Sequence, residues 1–436
     1  MSANLGSADT RDTEADPSPR AAPAATHGAA PQGTAVARRQ PRGSLDAYLL
    51  RRLLKGVGDP PIEFHLQWTR ERVAPAGVEP VQRVRVADRR TLLGLLVDPQ
   101  VKFCEAYTSG RIEIEGDVTG FMVTLFQIFA PATRGTAAGR GMSGGRRPRP
   151  NTLRGSRDNI HRHYDIGNDF YALWLGETMA YTCAYYPTES ATLEQAQTAK
   201  MDHVCRKLRL GSADSVVEAG CGWGSLALHM AARYGAKVRA FNISREQLDF
   251  ARRRALKEGL AGRVEFIEDD YRNIRGSCDA FVSVGMLEHV GKDHYAELGR
   301  VVSNSLAANG RGLIHSIGRN QPGLLHPWIE RCIFPGAYAP SLGEMMQIFE
   351  PSDLSVLDVE NLRLHYARTL RHWLERFERA AGTVRSMFDE SFVRMWRLYL
   401  AGSIAGFETG TVQLFQVLFT TRDNNAIPFT REFLYR

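Results

Sequence analysis

Between residues 158 and about 320 the chain alternates short apolar runs with amphipathic helical stretches, and few folds accept that order. Ser215–Ala219, Lys237–Asn242, Val264–Glu268, Ala280–Val284 and Gly312–Ser316 read as buried strands, with helical periodicity over Ser225–Tyr234 and Arg245–Glu258 between them. Strands apolar on both faces need helices above and below, so the alternation predicts an α/β fold with a parallel, doubly wound sheet. Ligands of such sheets bind beyond the carboxyl ends of the strands. The first of those ends is Val216-Val-Glu-Ala-Gly-Cys-Gly-Trp-Gly-Ser225, where a strand runs through a glycine-rich turn into a helix. Gly220, Gly222 and Gly224 let a ligand approach the backbone there. The spacing fits neither the GxGxxG turn of dinucleotide sites nor a phosphate loop ending in Gly-Lys-Ser/Thr.

The flanking regions differ in character. Residues 1–43 are rich in Ala, Pro and Gly and hold too few large apolar groups to offset ordering, which predicts a disordered tail. Asp9, Asp12, Glu14 and Asp16 argue against an organelle transit peptide. Residues 44–132 read as a small α+β domain. Ser44 can cap a helix over Leu45–Leu54, strands are expected at Glu63–Trp68, Gln82–Val86 and Arg111–Asp117, and a helix over Met122–Phe129 closes the unit. Residues 133–157 form a linker with Arg134, Arg140, Arg146, Arg147, Arg149, Arg154 and Arg157 and no acid. It is either a solvated connector or a segment that meets membrane phosphates. The large unit spans 158–425, its later part adding helices over Leu370–Ala380 and Ser391–Ile404 and a strand at Leu414–Thr420, before a short tail at 426–436.

Composition removes several classes. No apolar run approaches the roughly 18 residues that span a bilayer, and no apolar stretch follows Met1 as in a secretory signal. Six cysteines without a CxxC pair disfavour a zinc site or disulfide framework and suit a cytosolic chain. His161, His163 and His289 lack ligand spacing, so no metal is expected. A net charge of +7 favours anionic partners. Nucleic acid is the weaker choice, because the arginine-rich linker carries no aromatic residue to stack on bases.

The wording of the glycine turn, Glu-Ala-Gly-Cys-Gly-Trp-Gly, resembles the first motif of S-adenosylmethionine-dependent methyltransferases. Phe241-Asn-Ile-Ser-Arg-Glu-Gln247, Asp270-Tyr271-Arg272 and Ser283-Val-Gly-Met-Leu-Glu-His-Val-Gly291 follow at the next strand ends. A narrower likeness appears in Tyr181-Thr-Cys-Ala-Tyr185, Gly285-Met-Leu-Glu-His-Val-Gly291, His315-Ser-Ile-Gly318, Ile333-Phe-Pro-Gly336 and His163-Tyr-Asp-Ile-Gly-Asn-Asp-Phe170. Together, over roughly 44–425, these resemble the cyclopropane-fatty-acyl-phospholipid synthase family, relatives of the mycolic acid cyclopropane synthases. Tyr107-Thr-Ser-Gly-Arg-Ile-Glu-Ile-Glu-Gly116 is similar to the lipid-side domain of the bacterial phospholipid enzymes.

The resemblance implies a Rossmann-like methyltransferase sheet with a small α+β N-terminal domain and helical insertions. It implies that a cis alkene in an acyl chain attacks the methyl of S-adenosylmethionine, leaving a carbocation that loses a proton as the ring closes. The base is implied to be a bicarbonate ion held by Cys183, Glu288, His315, the backbone of Ile317 and Tyr366. Cosubstrate binding is expected from Tyr181, Thr182, Gly220, Gly222, Gly224, Asn242, Gln247, Asp270 and Tyr271. Glu218 stands where Asp is more frequent, and Asn242 replaces a usual Thr. The implied partners are unsaturated acyl chains at a phospholipid membrane surface, approached from the cytoplasmic face, with a homodimer left open. The alternatives are a related lipid C-methyltransferase giving a 10-methyl or methylene branch, and then a small-molecule N- or O-methyltransferase. A catalytically silent lipid-binding protein is disfavoured because no candidate site residue is missing.

Overall fold

The computed structural model describes residues 43–132 and 166–435. The arginine-rich linker, His161, His163 and all of the expected tail except Gly43 lie outside the described residues. The amino-terminal layer consists of α1 (Leu45–Gly56), β1 (Ile62–Leu66), β2 (Glu71–Val73), β3 (Gln82–Val86), α2 (Arg89–Val97), α3 (Pro99–Thr108), β4 (Ile112–Glu115) and α4 (Val118–Ala132). Ser44 Oγ accepts from the Ala47 amide at 3.2 Å, a cap worth about 1 kcal/mol. Its sheet has the order β2–β1–β3–β4. In β1, Ile62, Phe64 and Leu66 are buried while Glu63 and His65 are partly exposed, the period of two that the sequence carried.

The larger sheet begins after α5 (Asn168–Ala172) and α6 (Leu193–Lys207). It follows the sequence β5 (Ser215–Ala219), α7 (Ser225–Tyr234), β6 (Lys237–Asn242), α8 (Arg245–Lys257), β7 (Val264–Glu268), β8 (Cys278–Val284), α9 (Tyr295–Ser305) and β9 (Leu306–Gly318). It continues with α10 (Pro327–Cys332), α11 (Leu342–Phe349), β10 (Leu354–Asn361), α12 (Arg363–Met387), α13 (Glu390–Glu408) and β11 (Gln413–Thr421). The strand order is β10–β11–β9–β8–β5–β6–β7. Strands β7, β6, β5, β8 and β9 are mutually parallel, as the alternating pattern required. Beyond that run the sheet is mixed, because β11 runs antiparallel to both β9 and β10. Strand β9 also starts well before Gly312, at Leu306, through a polar Ala-Ala-Asn-Gly-Arg stretch whose composition hides it.

Both layers share one apolar core. Leu50, Val84 and Ile112 of the first belong to the same buried cluster as Trp174, Trp373 and Trp396 of the second. Arg394 of α13 fastens the seam: it donates to the carbonyls of Tyr107 and Ile112, pairs with Glu113 at 2.8 Å, and lies over the Tyr107 ring. An arginine this buried needs such a set of acceptors.

Candidate active site

Strand β5 has β6 on one side and β8 on the other, all parallel; the chain steps outward through β6 and β7 and then crosses back to β8, so the strand order reverses beside β5 and opens a crevice at its carboxyl end. A cleft of about 1050 Å³, mouth included, fills that crevice. Eight of the nine residues expected at the cosubstrate line it: Tyr181, Thr182, Gly220, Gly222, Asn242, Gln247, Asp270 and Tyr271. At Gly222, φ is +54° and an added Cβ would meet no atom within 4 Å, so the turn faces open space. Gly224 does not line the cleft. An added Cβ there would stand 2.7 Å from the Phe266 ring and 2.8 Å from Ala251, so this glycine lets α7 pack closely on α8 and β7.

The polar lining is preorganised. Asn242 Nδ2 donates to Gln247 Oε1 at 2.8 Å and to the Gly222 carbonyl at 3.3 Å, which ties the second strand end to the glycine turn. Asp270 is held by Arg272 through two bonds of 2.7 and 2.9 Å. The Tyr271 hydroxyl is shielded and has no partner among the described residues, and burial holds it above the ordinary phenol range. Asn168, from the His163–Phe170 motif, accepts from Trp223 Nε1 at 2.7 Å and so braces the same turn.

Among the lining residues that sequence reasoning did not assign to the cosubstrate are Lys200, Glu218 and His289. Lys200 and Gln197 lie on the inward face of α6. Gln197 Nε2 donates to the carbonyls of Thr182 and Ala180, and Lys200 Nζ donates to Thr182 Oγ1 at 2.9 Å. The 180–182 segment is therefore fixed by α6. Burial lowers Lys200 to about 8 and raises Glu218 to about 8. Burial also lowers His289 to about 4, leaving it neutral.

None of the five residues expected around the base lines this cleft; they stand at the carboxyl end of β9 and the elements beside it. Glu288 Oε1 accepts from the Ile317 amide at 2.7 Å, so that backbone N–H is engaged by the carboxylate itself. Glu288 Oε2 is shielded and without a hydrogen-bond partner among the described residues, and burial raises the group to about 7. His315 Nδ1 faces Gln416 Nε2 at 3.1 Å, while His315 Nε2 is buried without a partner among the described residues. Burial, helped by the charges of Lys200 and Lys207, lowers His315 to about 3. Cys183 directly follows Thr182 and is fully buried; its Sγ donates to the carbonyls of Ala184 and Leu362, and burial keeps it a thiol. Tyr366 shares the Leu362 carbonyl through its own amide, and its ring lies against Phe407 and Trp373. Beside it, Tyr181 bonds Tyr399 hydroxyl to hydroxyl at 2.8 Å. Tyr181 and Trp223 pack on Tyr171 in a wall of rings that continues through Trp174 and Trp396.

A seven-stranded sheet with one reversed strand, a glycine turn at its switch point and a polar cleft beyond it define an S-adenosylmethionine-dependent methyltransferase. The solved structure of mycolic acid cyclopropane synthase CmaA1, complexed with SAH and CTAB, aligns with a TM-score of 0.58 at 26% identity, over 61% of this chain and 98% of that one. The profile of the family described as mycolic acid cyclopropane synthetase matches residues 151–417, and the chain belongs to that family. A probable fatty acid methyltransferase of Pseudomonas putida is 37% identical over 79% of this chain and 89% of its own length. The cyclopropane-fatty-acyl-phospholipid synthase of Escherichia coli (strain K12) is 38% identical over 62% of this chain and 69% of its own. The six cysteines are all free.

Proposed function

We propose that this methyltransferase is a cyclopropane-fatty-acyl-phospholipid synthase, converting cis double bonds of phospholipid acyl chains to cyclopropanes. The observation that carries the reading is the pair of unpartnered buried atoms, Glu288 Oε2 and His315 Nε2, at one end of β9. Polar groups so buried are costly unless something meets them, and a small oxyanion fits a carboxyl near its titration point beside an imidazole N–H. Cys183, Glu288, His315, the Ile317 segment and Tyr366 would hold a bicarbonate ion, which supplies a general base there. S-Adenosylmethionine supplies an electrophilic methyl. Tyr181 and Trp223 line the cleft, and aromatic side chains there would keep water from a weak alkene nucleophile and offer π-density to a cation.

The membrane is reached from outside. Among the described residues no helix is long and apolar enough to cross a bilayer. Residues 44–132 serve as the lipid-side module and 158–425 as the catalytic one. Helices α1 and α2 expose Leu45, Tyr48, Leu93 and Val97 together with Arg52, Lys55 and Arg90, and their one acid, Asp46, is buried. Exposed apolar groups among unopposed cations suit an anionic lipid surface.

A second reading is a lipid C-methyltransferase that leaves a methyl or methylene branch, favoured by the name of the Pseudomonas putida relative. Both begin with the same methylation. Mass spectrometry of lipids from cells expressing the chain tests them. A gain of one CH2 with loss of unsaturation fits ring closure; chemical derivatisation that finds a branch selects the second reading. Unchanged lipids would overturn both.

A further inference from the structure

Arg319 directly follows β9. Its backbone stays extended there, bridging Ser341 and donating its amide to the Pro340 carbonyl at 2.8 Å. Alternation along the strand puts Arg319 on the face that carries His315 and Ile317. Its side chain is enclosed. Nε is buried, and a Cβ added at Gly323 would stand 3.3 Å from Nη1, so the 320–323 turn lies against the guanidinium. Among the described residues Nε has no partner, and no carboxylate pairs with the group. The carboxylates of this corner are engaged elsewhere. Glu288 accepts from the Ile317 amide, while Glu344 accepts from the Ser341 amide and the Tyr338 hydroxyl and pairs with Lys292. Burial lowers Arg319 from the ordinary guanidinium value, yet an arginine keeps its proton. A fixed cation so placed is costly until an anion meets it.

A second donor stands close by. His326 Nδ1 accepts from the Trp328 amide at 3.3 Å, which places the ring proton on Nε2. Burial lowers this histidine, and its ring feels the charges of Asp98, from the start of α3, and of Arg319. The corner therefore lies where the catalytic layer meets the amino-terminal one. Four residues of extended chain, about 13 Å, separate Arg319 from His315. A double bond halfway down a leaflet lies a similar distance, roughly 13 Å, below the head-group layer.

We propose that Arg319 binds the head-group phosphate of the phospholipid substrate, its planar fork taking two phosphate oxygens, with His326 Nε2–H as a second donor. Held there, the lipid enters to a fixed depth, and a mid-chain double bond comes level with Glu288 and His315. The inference rests on the phospholipid reading above and adds the group by which that lipid is held.

Calorimetry with three soluble probes tests it: dihexanoyl phosphatidylglycerol below its micelle concentration, dihexanoylglycerol, which has the same chains and no phosphate, and inorganic phosphate. Wild type should bind the phospholipid at least about tenfold more tightly than the diacylglycerol, the range of a charged hydrogen bond. Equal affinity for the two lipids would overturn the site, and this comparison needs no variant. Arg319→Met should erase the preference while changing dihexanoylglycerol and S-adenosylhomocysteine affinity by no more than about twofold. A preference that survives in Arg319→Met would overturn the assignment. Parallel loss of all these affinities would mean that Arg319 only supports the fold and would overturn it too. Inorganic phosphate bound as tightly as the phospholipid, and lost in Arg319→Met, would give the site to free phosphate and overturn the lipid source. The test and the lipid mass gain fail separately. A phosphate preference with unchanged cellular lipids would remove the chemistry and keep the site, whereas modified lipids without the preference would remove the site alone.

Discussion

Gln416 Nε2 sits 3.1 Å from His315 Nδ1, across the register that pairs these two residues on β11 and β9. With an amide N–H on Nδ1, the ring proton belongs on Nε2, the nitrogen that has no partner. If His315 serves as a donor to a small anion, Gln416 sets that tautomer. Gln416→Met should cut turnover at least about tenfold while leaving S-adenosylhomocysteine affinity nearly unchanged. Gln416→Glu, which accepts from Nδ1–H, should shift the ring to the opposite tautomer. Nitrogen NMR of histidine-labelled protein reads this directly, and a wild-type ring protonated on Nδ1 would contradict the assignment.

Glu288 carries a linked pair of expectations. Burial raises it to about 7 from an ordinary 4.5. Between those values the folded chain holds a proton that the unfolded chain has lost, so stability falls as pH rises through that window. Glu288→Gln removes this loss. Its stability advantage over wild type should grow by up to about 3 kcal/mol between pH 5 and pH 8, read from urea midpoints. Its turnover should fall about 100-fold or more. A variant no more stable at pH 8 than at pH 5, relative to wild type, would show that the carboxyl is not strained by burial.

The glycine turn separates binding from packing. Gly222→Val forces a β-branched residue to φ +54° and projects it into the cleft, so cosubstrate binding should be lost with folding largely kept. Gly224→Ala presses on Phe266 and Ala251 and should cost about 1–3 kcal/mol of stability. Methylthioadenosine affinity should survive in its folded fraction. Calorimetry and urea denaturation of both variants check the division.

Bicarbonate depletion provides the simplest chemical test. Turnover in rigorously degassed buffer should drop and recover on adding bicarbonate, whereas chloride at equal ionic strength should not restore it. Full activity without bicarbonate would leave Glu288 itself as the base.

Some of this was legible in the sequence for plain physical reasons. Ser215–Ala219, Lys237–Asn242 and Val264–Glu268 appear with the bounds read from the sequence: the first is buried along nearly all its length, and the edge strand Val264–Glu268 shows its period of two in Val264 and Phe266. Six of the eight cleft residues sit at or just after strand ends, where the fold puts ligands, whereas Tyr181 and Thr182 precede the first strand of the sheet and were legible only through the family resemblance. Helix α6 was not seen. Beside Leu193, Ala196, Met201, Val204 and Cys205 it also buries Gln197, Lys200, His203 and Lys207, a polar row that in a sequence looks like a solvated face. Lys200 was missed with it. Strand β10 escaped notice because it is an edge strand, only partly buried along most of its length. Gly224 was assigned by motif, and only the neighbouring Phe266 shows that close packing accounts for it.

The polar stripe of α6 has a wider consequence. Gln197 and Lys200 grip the 180–182 backbone, and two turns on, His203 and Lys207 both hold Glu360 of β10 at 2.7 and 2.6 Å. One rigid rod thus gauges the spacing between the wall that meets the cosubstrate and the far edge of the sheet. Adding a single residue midway along the rod would turn its second half by about 100° and carry those two side chains away from Glu360. Sequence drift in this helix is therefore constrained in length as well as in its buried apolar residues, and swapping it between relatives should succeed only when the count from Gln197 to Lys207 is kept.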